Sequence, residues 1–156
     1  MHPSHFETFI SAFAALDERS RLLAGDWVLC PPRDDYGYQS TPKNSITFAS
    51  MGCDGVHYSI LKRDGLLRED SPVVQVNPMD SNDVIVIAQS FLHFLADGCA
   101  VSTDEMEAVF QDVITGKILL VDFLSKHFDC LRLLDEERTA NLGATFGHLI
   151  ERKVSL

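Results

Sequence analysis

Ile46-Thr47-Phe48-Ala49-Ser50-Met51-Gly52-Cys53-Asp54-Gly55-Val56-His57-Tyr58-Ser59-Ile60 is the stretch from which the fold follows. Ile46 and Phe48, then Val56, Tyr58 and Ile60, alternate at period two. That spacing puts apolar side chains on one face of a β-strand. Between the two runs, Ser50 to Gly55 carries two glycines, which reach positive φ without a steric penalty. The pattern predicts two paired strands joined by a tight turn, with Gly52 or Gly55 at positive φ.

Two further strands are expected downstream, beyond a polar loop that contains Gly65: Val73 to Val76 and Val84 to Ala88, joined by residues 77–83. The unbroken run Val84-Ile85-Val86-Ile87 suits a strand covered on both faces. Upstream, Trp27 to Leu29 is a short apolar stretch stopped by Pro31-Pro32, and Arg33 to Asn44 reads as an irregular loop. A first helix is expected from Ser4, where Ser4-x-x-Glu7 has capping-box spacing. Phe6, Phe9, Ile10, Phe13 and Leu16 share one helical face, and Leu22 and Leu23 precede Gly25 as terminator.

From Ser90 onward the period turns helical. Phe91, Phe94 and Leu95 form an apolar stripe ended by Gly98, and Ser102-x-x-Glu105 caps a helix carrying Met106, Val109, Phe110 and Val113. Helices over Ile118 to Phe128 and Leu134 to Ile150 complete the chain, the last with Leu142, Phe146, Leu149 and Ile150 inward. Grouped strands flanked by helices predict an α+β fold, and 156 residues fit one domain spanning 1–156.

Thirteen Lys and Arg against 23 Asp and Glu give a formal charge of −10. Such a chain lacks the basic footprint of nucleic-acid or anionic-membrane binding, so a basic protein is the expected partner. No apolar run approaches the ~20 residues of a bilayer span, and Met1 to His5 has no signal-peptide pattern, so a cytoplasmic location is expected. The acids are unevenly placed. Between Arg68 and Lys117 no Lys or Arg occurs, yet Glu69, Asp70, Asp80, Asp83, Asp97, Asp104, Glu105, Glu107 and Asp112 do. Gathered by folding, these carboxylates make an acidic face; dispersed, they only solvate turns and helix starts. Asp80 and Asp83, between two strands, and Asp104 and Glu105, at a helix start, are the expected partner contacts.

Motifs for chemistry are weak. Cys30, Cys53, Cys99 and Cys130 show no C-x-x-C pair and read as small core hydrophobes. The histidines at 2, 5, 57, 93, 127 and 148 offer no helical zinc spacing, so no metal is expected. Asp80-Ser81-Asn82-Asp83 has the acids of a calcium loop but continues into Val84 and Ile85, where an oxygen ligand and a glycine are required. No dinucleotide, P-loop or nucleophile-elbow motif is present, so no cofactor is expected. Cys53-Asp54-Gly55-Val56-His57 holds a thiol, a carboxylate and an imidazole, but Asp54-Gly55 is also what a hairpin turn requires. The turn is the expected role.

Thr41-Pro42-x-Asn44-Ser45-x-x-Phe48-Ala49-Ser50-x-Gly52-x-Asp54-Gly55-Val56-His57-Tyr58 resembles a signature of the SUKH superfamily, also called cell-wall assembly or glucan-synthesis regulator-like. Pro72-Val73-Val74, Pro78-Met79 and Phe94-Leu95-x-x-Gly98-Cys99 continue the likeness, which runs from about Trp27 to Cys99. The resemblance implies helices around a central, mostly antiparallel sheet. It also implies a non-enzymatic binding protein, since many bacterial members are immunity proteins against toxins, often nucleases, and others are partner-binding regulators. It carries over no catalytic residue. The expected function is therefore toxin neutralisation by direct binding. The alternatives are a regulatory or small-ligand-binding scaffold and a hydrolase using Cys53 or Cys99 with His57.

Overall fold

The computed structural model describes residues 5–13, 22–23, 27–50, 54–100, 128, 133 and 139–154. Six strands form one antiparallel sheet in which each pairs with its neighbours in sequence: β1 Leu22–Leu23, β2 Trp27–Arg33, β3 Ser45–Ser50, β4 His57–Leu61, β5 Val73–Val76 and β6 Val84–Ala88. Among the described residues the helices are α1 His5–Phe13, α2 Phe91–Ala100 and α3 Leu142–Phe146, the last running into a 3-10 turn at Gly147–Leu149. The chain is α+β, as its grouped strands predict.

The expected hairpin is β3 against β4, with Ile46 opposite Ile60 and Ser50 opposite His57. Asp54 and Gly55 both take positive φ, 53° and 73°, as a tight turn requires. Alternation then sorts the sheet into two faces. Phe48, Tyr58, Ile60 and Val73 face α1 and α2, where Phe6, Phe9, Phe91, Phe94 and Leu95 close the larger core. Phe48 meets Phe6, Phe91 and Phe94 edge to face at 5.5–5.7 Å, the arrangement that the ring quadrupole favours. The opposite face carries Leu61, Val74, Val76, Val84 and Val86, covered by Leu142, Phe146, Leu149 and Ile150. Further along that face, Thr47 and Ser59 bond hydroxyl to hydroxyl at 2.8 Å, both fully buried.

Several elements differ from expectation, each for a physical reason. Leu22–Leu23 is not a helix end but a two-residue strand whose backbone pairs with Trp27 and Val28. Pro31 and Pro32 do not stop β2, because the ladder shifts register between Leu29 and Arg33. Prolines sit in a sheet where such a bulge removes the demand for their missing N–H. Gly98 lies inside α2 rather than ending it. Strand β6 is buried at Val84 and Val86, while on its other face Ile85 is 42% exposed and only Ile87 packs against the larger core, so that face is covered only in part. Of the helix expected over Leu134 to Ile150, the described part, from Thr139 on, holds only α3 and its 3-10 turn, although its four apolar residues do pack inward. Ser4 and the helices expected from Ser102 and over Ile118 to Phe128 lie outside the described residues, except Phe128, which is buried in the larger core.

Candidate functional site

The loop joining β5 to β6 is built by short polar side chains. The Asn77 side-chain oxygen accepts the Met79 N–H at 3.2 Å, the Asp80 carboxylate accepts the Asn82 N–H at 3.0 Å, and the Asn77 N–H closes the loop onto the Asp83 carbonyl at 2.7 Å. Asp and Asn favour such turns because their side chains replace the backbone acceptor. The apex is Met79, 81% exposed, beside the exposed Asp80.

Folding thus brings Asp80 and Asp83 into one loop, with unequal charge. Asp83 is gripped by the Arg152 guanidinium at 3.0–3.1 Å. Burial raises the Asp83 pKa, but bonds from Arg152 and Ser40 outweigh it and hold the carboxyl below its usual range. Glu69 pairs with His5, and Asp70 with Arg63. Of the acids in the base-free run whose side chains are described, three therefore face a basic group, which the spacing in sequence does not reveal. Asp104 and Glu105 lie outside the described residues.

A second constellation surrounds His57, which is fully buried at the start of β4. Its Nδ1 lies 2.6 Å from the Gly55 carbonyl, an acceptor only, so Nδ1 carries the proton. In the neutral ring Nε2 then accepts the Thr41 hydroxyl at 3.0 Å. Tyr36 lies against the imidazole at 4.5 Å and Tyr38 stacks on it at 5.7 Å. Gly55 makes room for this stack, since a Cβ there would stand 2.7 Å from the Tyr38 ring. Burial lowers the His57 pKa; the Gly55 carbonyl and Asp35 oppose this, and the Lys153 charge adds to it.

Lys153 reaches this cluster from the C-terminal segment. Its Nζ donates to the Tyr38 carbonyl at 2.6 Å and to Asp35 at 2.7 Å. That bond and the Gly37 N–H hold the Asp35 carboxyl below its ordinary value. Asn44 ties the same segment down: its side chain donates to the Leu149 and Lys62 carbonyls and accepts the Glu151 N–H. Neither Tyr36, Tyr38 nor Lys153 stands out in the sequence; a Tyr-x-Tyr in a polar loop is the one visible trace.

No protein-family model, curated protein or solved structure matches the chain.

A cleft of about 410 Å³ opens beside α2, lined by His5, Glu69, Asp70, Gln89, Ser90 and His93, among others. The Ser90 hydroxyl caps α2 by accepting the His93 N–H at 3.2 Å and lies 2.5 Å from His93 Nδ1. A side-chain oxygen at this position satisfies one of the orphan donors of a helix start. Among the described residues no group of three His, Cys, Asp or Glu is arranged to hold a metal, and no helix is long and apolar enough to cross a membrane. Cys30 is half-buried, and burial pushes its thiol up, with Arg33 opposing, away from the reactive range. Cys53, Cys130 and the Cys99 side chain lie outside the described residues.

Proposed function

We propose that this chain is a non-enzymatic binding protein of the SUKH type, an immunity protein that neutralises a nuclease-type toxin in the cytoplasm by direct contact. One observation carries the reading: Thr41, Asn44, Ser45 and His57, four polar side chains of the Thr41–Tyr58 signature, are used within the fold. Thr41 and His57 bond each other, Ser45 donates to the Pro42 carbonyl at 2.8 Å, and Asn44 fastens the C-terminal segment. Phe48 and Tyr58 are core. Residues so engaged build a scaffold whose activity resides on its surface. The β5–β6 loop offers such a surface, with Met79 and Asp80 at the apex and Asp83 at its base; Asp104 and Glu105 are proposed as further contacts from the sequence alone. An excess of ten negative charges speeds encounter with a basic protein and imitates the sign of a nuclease's substrate.

The test is co-expression with the polypeptide encoded by the neighbouring reading frame. Restored growth of a poisoned cell and a stoichiometric complex by gel filtration are the expected results. Absence of a complex, together with a cysteine titrating well below the usual thiol range, would turn the reading toward the Cys/His hydrolase. A small-ligand-binding scaffold is the second reading, favoured by the cleft beside α2.

A further inference from the structure

We propose that His57, Tyr36, Tyr38 and Lys153 form an acid-sensitive latch, which fastens segment 149–153 to the 34–44 loop when His57 is neutral and releases it when His57 is protonated. The latch is defined by its bonds. Lys153 holds the loop through Tyr38 and Asp35, the Lys43 N–H donates to the Glu151 carbonyl at 2.9 Å, and the Glu151 N–H donates to Asn44. The Gln39 side chain donates to the Lys153 carbonyl at 3.2 Å. Beneath this strap Tyr36 and Tyr38 lie on His57, so the loop cannot stay closed unless the imidazole tolerates being sealed from water.

Protonation removes that tolerance. A cationic ring at 0% exposure loses its hydration, and the charges near it do not compensate. The 34–44 loop brings Asp35, Tyr36 and Tyr38, with the Arg33 guanidinium 5.8 Å from the centre of the Tyr36 ring. The C-terminal segment brings Lys153, whose charge repels the imidazolium, whereas Asp35, which attracts it, is already bonded to Lys153. The strand neighbours opposite His57 are Ser50 and Val76, which carry no titratable group, and its own turn brings the exposed Asp54. Opening the strap frees the 34–44 loop to lift Tyr36 and Tyr38 off the ring, which returns the imidazole to water, where its pKa is about 6.5. The open form therefore binds the proton more readily than the closed one, and opening is favoured as pH falls below about 6.5. His148, the residue just before the segment, is already exposed.

Amide hydrogen exchange of the intact chain between pH 7.5 and 5.5, corrected for intrinsic rates, tests the latch. Protection at Lys43 and Glu151 should fall several-fold, with about tenfold as the ceiling set by one proton over this span. Protection in the β4–β5 ladder, as at Val74, should stay flat. His57→Phe keeps a ring in the stack and removes the proton site, so the pH dependence at Lys43 and Glu151 should vanish. Lys153→Met should raise the His57 pKa, read from the imidazole resonances, and lower strap protection throughout the range. Should His57→Phe fail to fold, the wild-type imidazole titration and the Lys153→Met shift still decide. A wild-type His57 pKa at or above about 6.5 overturns the latch. So does an unchanged pH profile at Lys43 and Glu151 in His57→Phe, or a Lys153→Met variant that moves neither readout.

Discussion

Replacing Gly55 with alanine separates two reasons for a glycine at this turn, because Gly65 supplies a control with only one of them. Both have similar backbones, φ 73° and 76°, but an added Cβ at Gly65 meets nothing within 4 Å, whereas at Gly55 it stands 2.7 Å from Tyr38 Cζ and OH and 2.9 Å from Cε1. The left-handed backbone costs an alanine about 1–2 kcal/mol at either site. At Gly55 the Tyr38 ring must in addition retreat by roughly 1 Å to reach ordinary contact. That ring stacks on Tyr36 at 5.9 Å and on His57 at 5.7 Å, so retreat breaks both contacts. Aromatic pairs contribute about 0.5–1.5 kcal/mol each. Because Tyr38 is 39% exposed, its ring can swing outward, which keeps the extra cost near the low end, about 1–2 kcal/mol. Urea denaturation followed by far-UV circular dichroism should place Gly55→Ala below Gly65→Ala by that margin, with equal slopes. In the Tyr38→Ala background the margin should disappear. Equal losses at the two glycines in the wild-type background would show that Tyr38 does not press on the turn.

Phe48→Ala should cost about 3–5 kcal/mol in the same assay, since it empties a fully buried position at the meeting point of three rings. Asn44→Ala removes three hydrogen bonds, one to the Lys62 carbonyl just past β4 and two to the C-terminal segment, and should cost about 2 kcal/mol, with the loss in amide protection largest at Glu151. Asp83 has a depressed folded pKa, so its contribution is complete above its unfolded value, about 3.9, and is lost as pH falls through the folded value; acid titration of Arg152→Ala should show a shallower loss there. For the proposed contact, Asp80→Lys should slow association with the toxin and flatten its salt dependence while leaving the urea midpoint unchanged, because Asp80 is exposed and bonds only within its own loop.

Where the sequence is legible, local periodicity and tertiary burial agree. Val73 to Val76 and Val84 to Ala88 emerge at the expected bounds because β-branched runs between polar turns have few other conformations available. Asp54-Gly55 marks its turn because the required backbone excludes most residues. Strand β2 was illegible for the converse reason: Pro31 and Pro32 forbid a regular ladder, and only the partner strand shows that a bulge absorbs them. Leu22–Leu23 is too short for any period to register. At the candidate site, the loop location of Asp80 and Asp83 could be read from flanking strands. The neutralisation of Asp83 could not, since Arg152 lies 69 residues away. The burial of His57 was hidden likewise, because Tyr36, Tyr38 and Lys153 converge on it only after folding.

The neighbour-to-neighbour order of the strands has a consequence for how the molecule assembles. Every ladder from β1 to β6 closes over a short span of chain, so the sheet belongs to the low-contact-order, rapidly forming kind and can grow hairpin by hairpin during synthesis. The Asn44–Leu149 bond spans 105 residues and cannot form until Leu149 has emerged, long after the sheet is complete. Refolding should accordingly show two stages, an early sheet and a late docking of the C-terminal segment. Between them, Val74, Val84 and Val86 remain wet, and that is the interval in which a growing chain is most open to mispairing and to capture by chaperones.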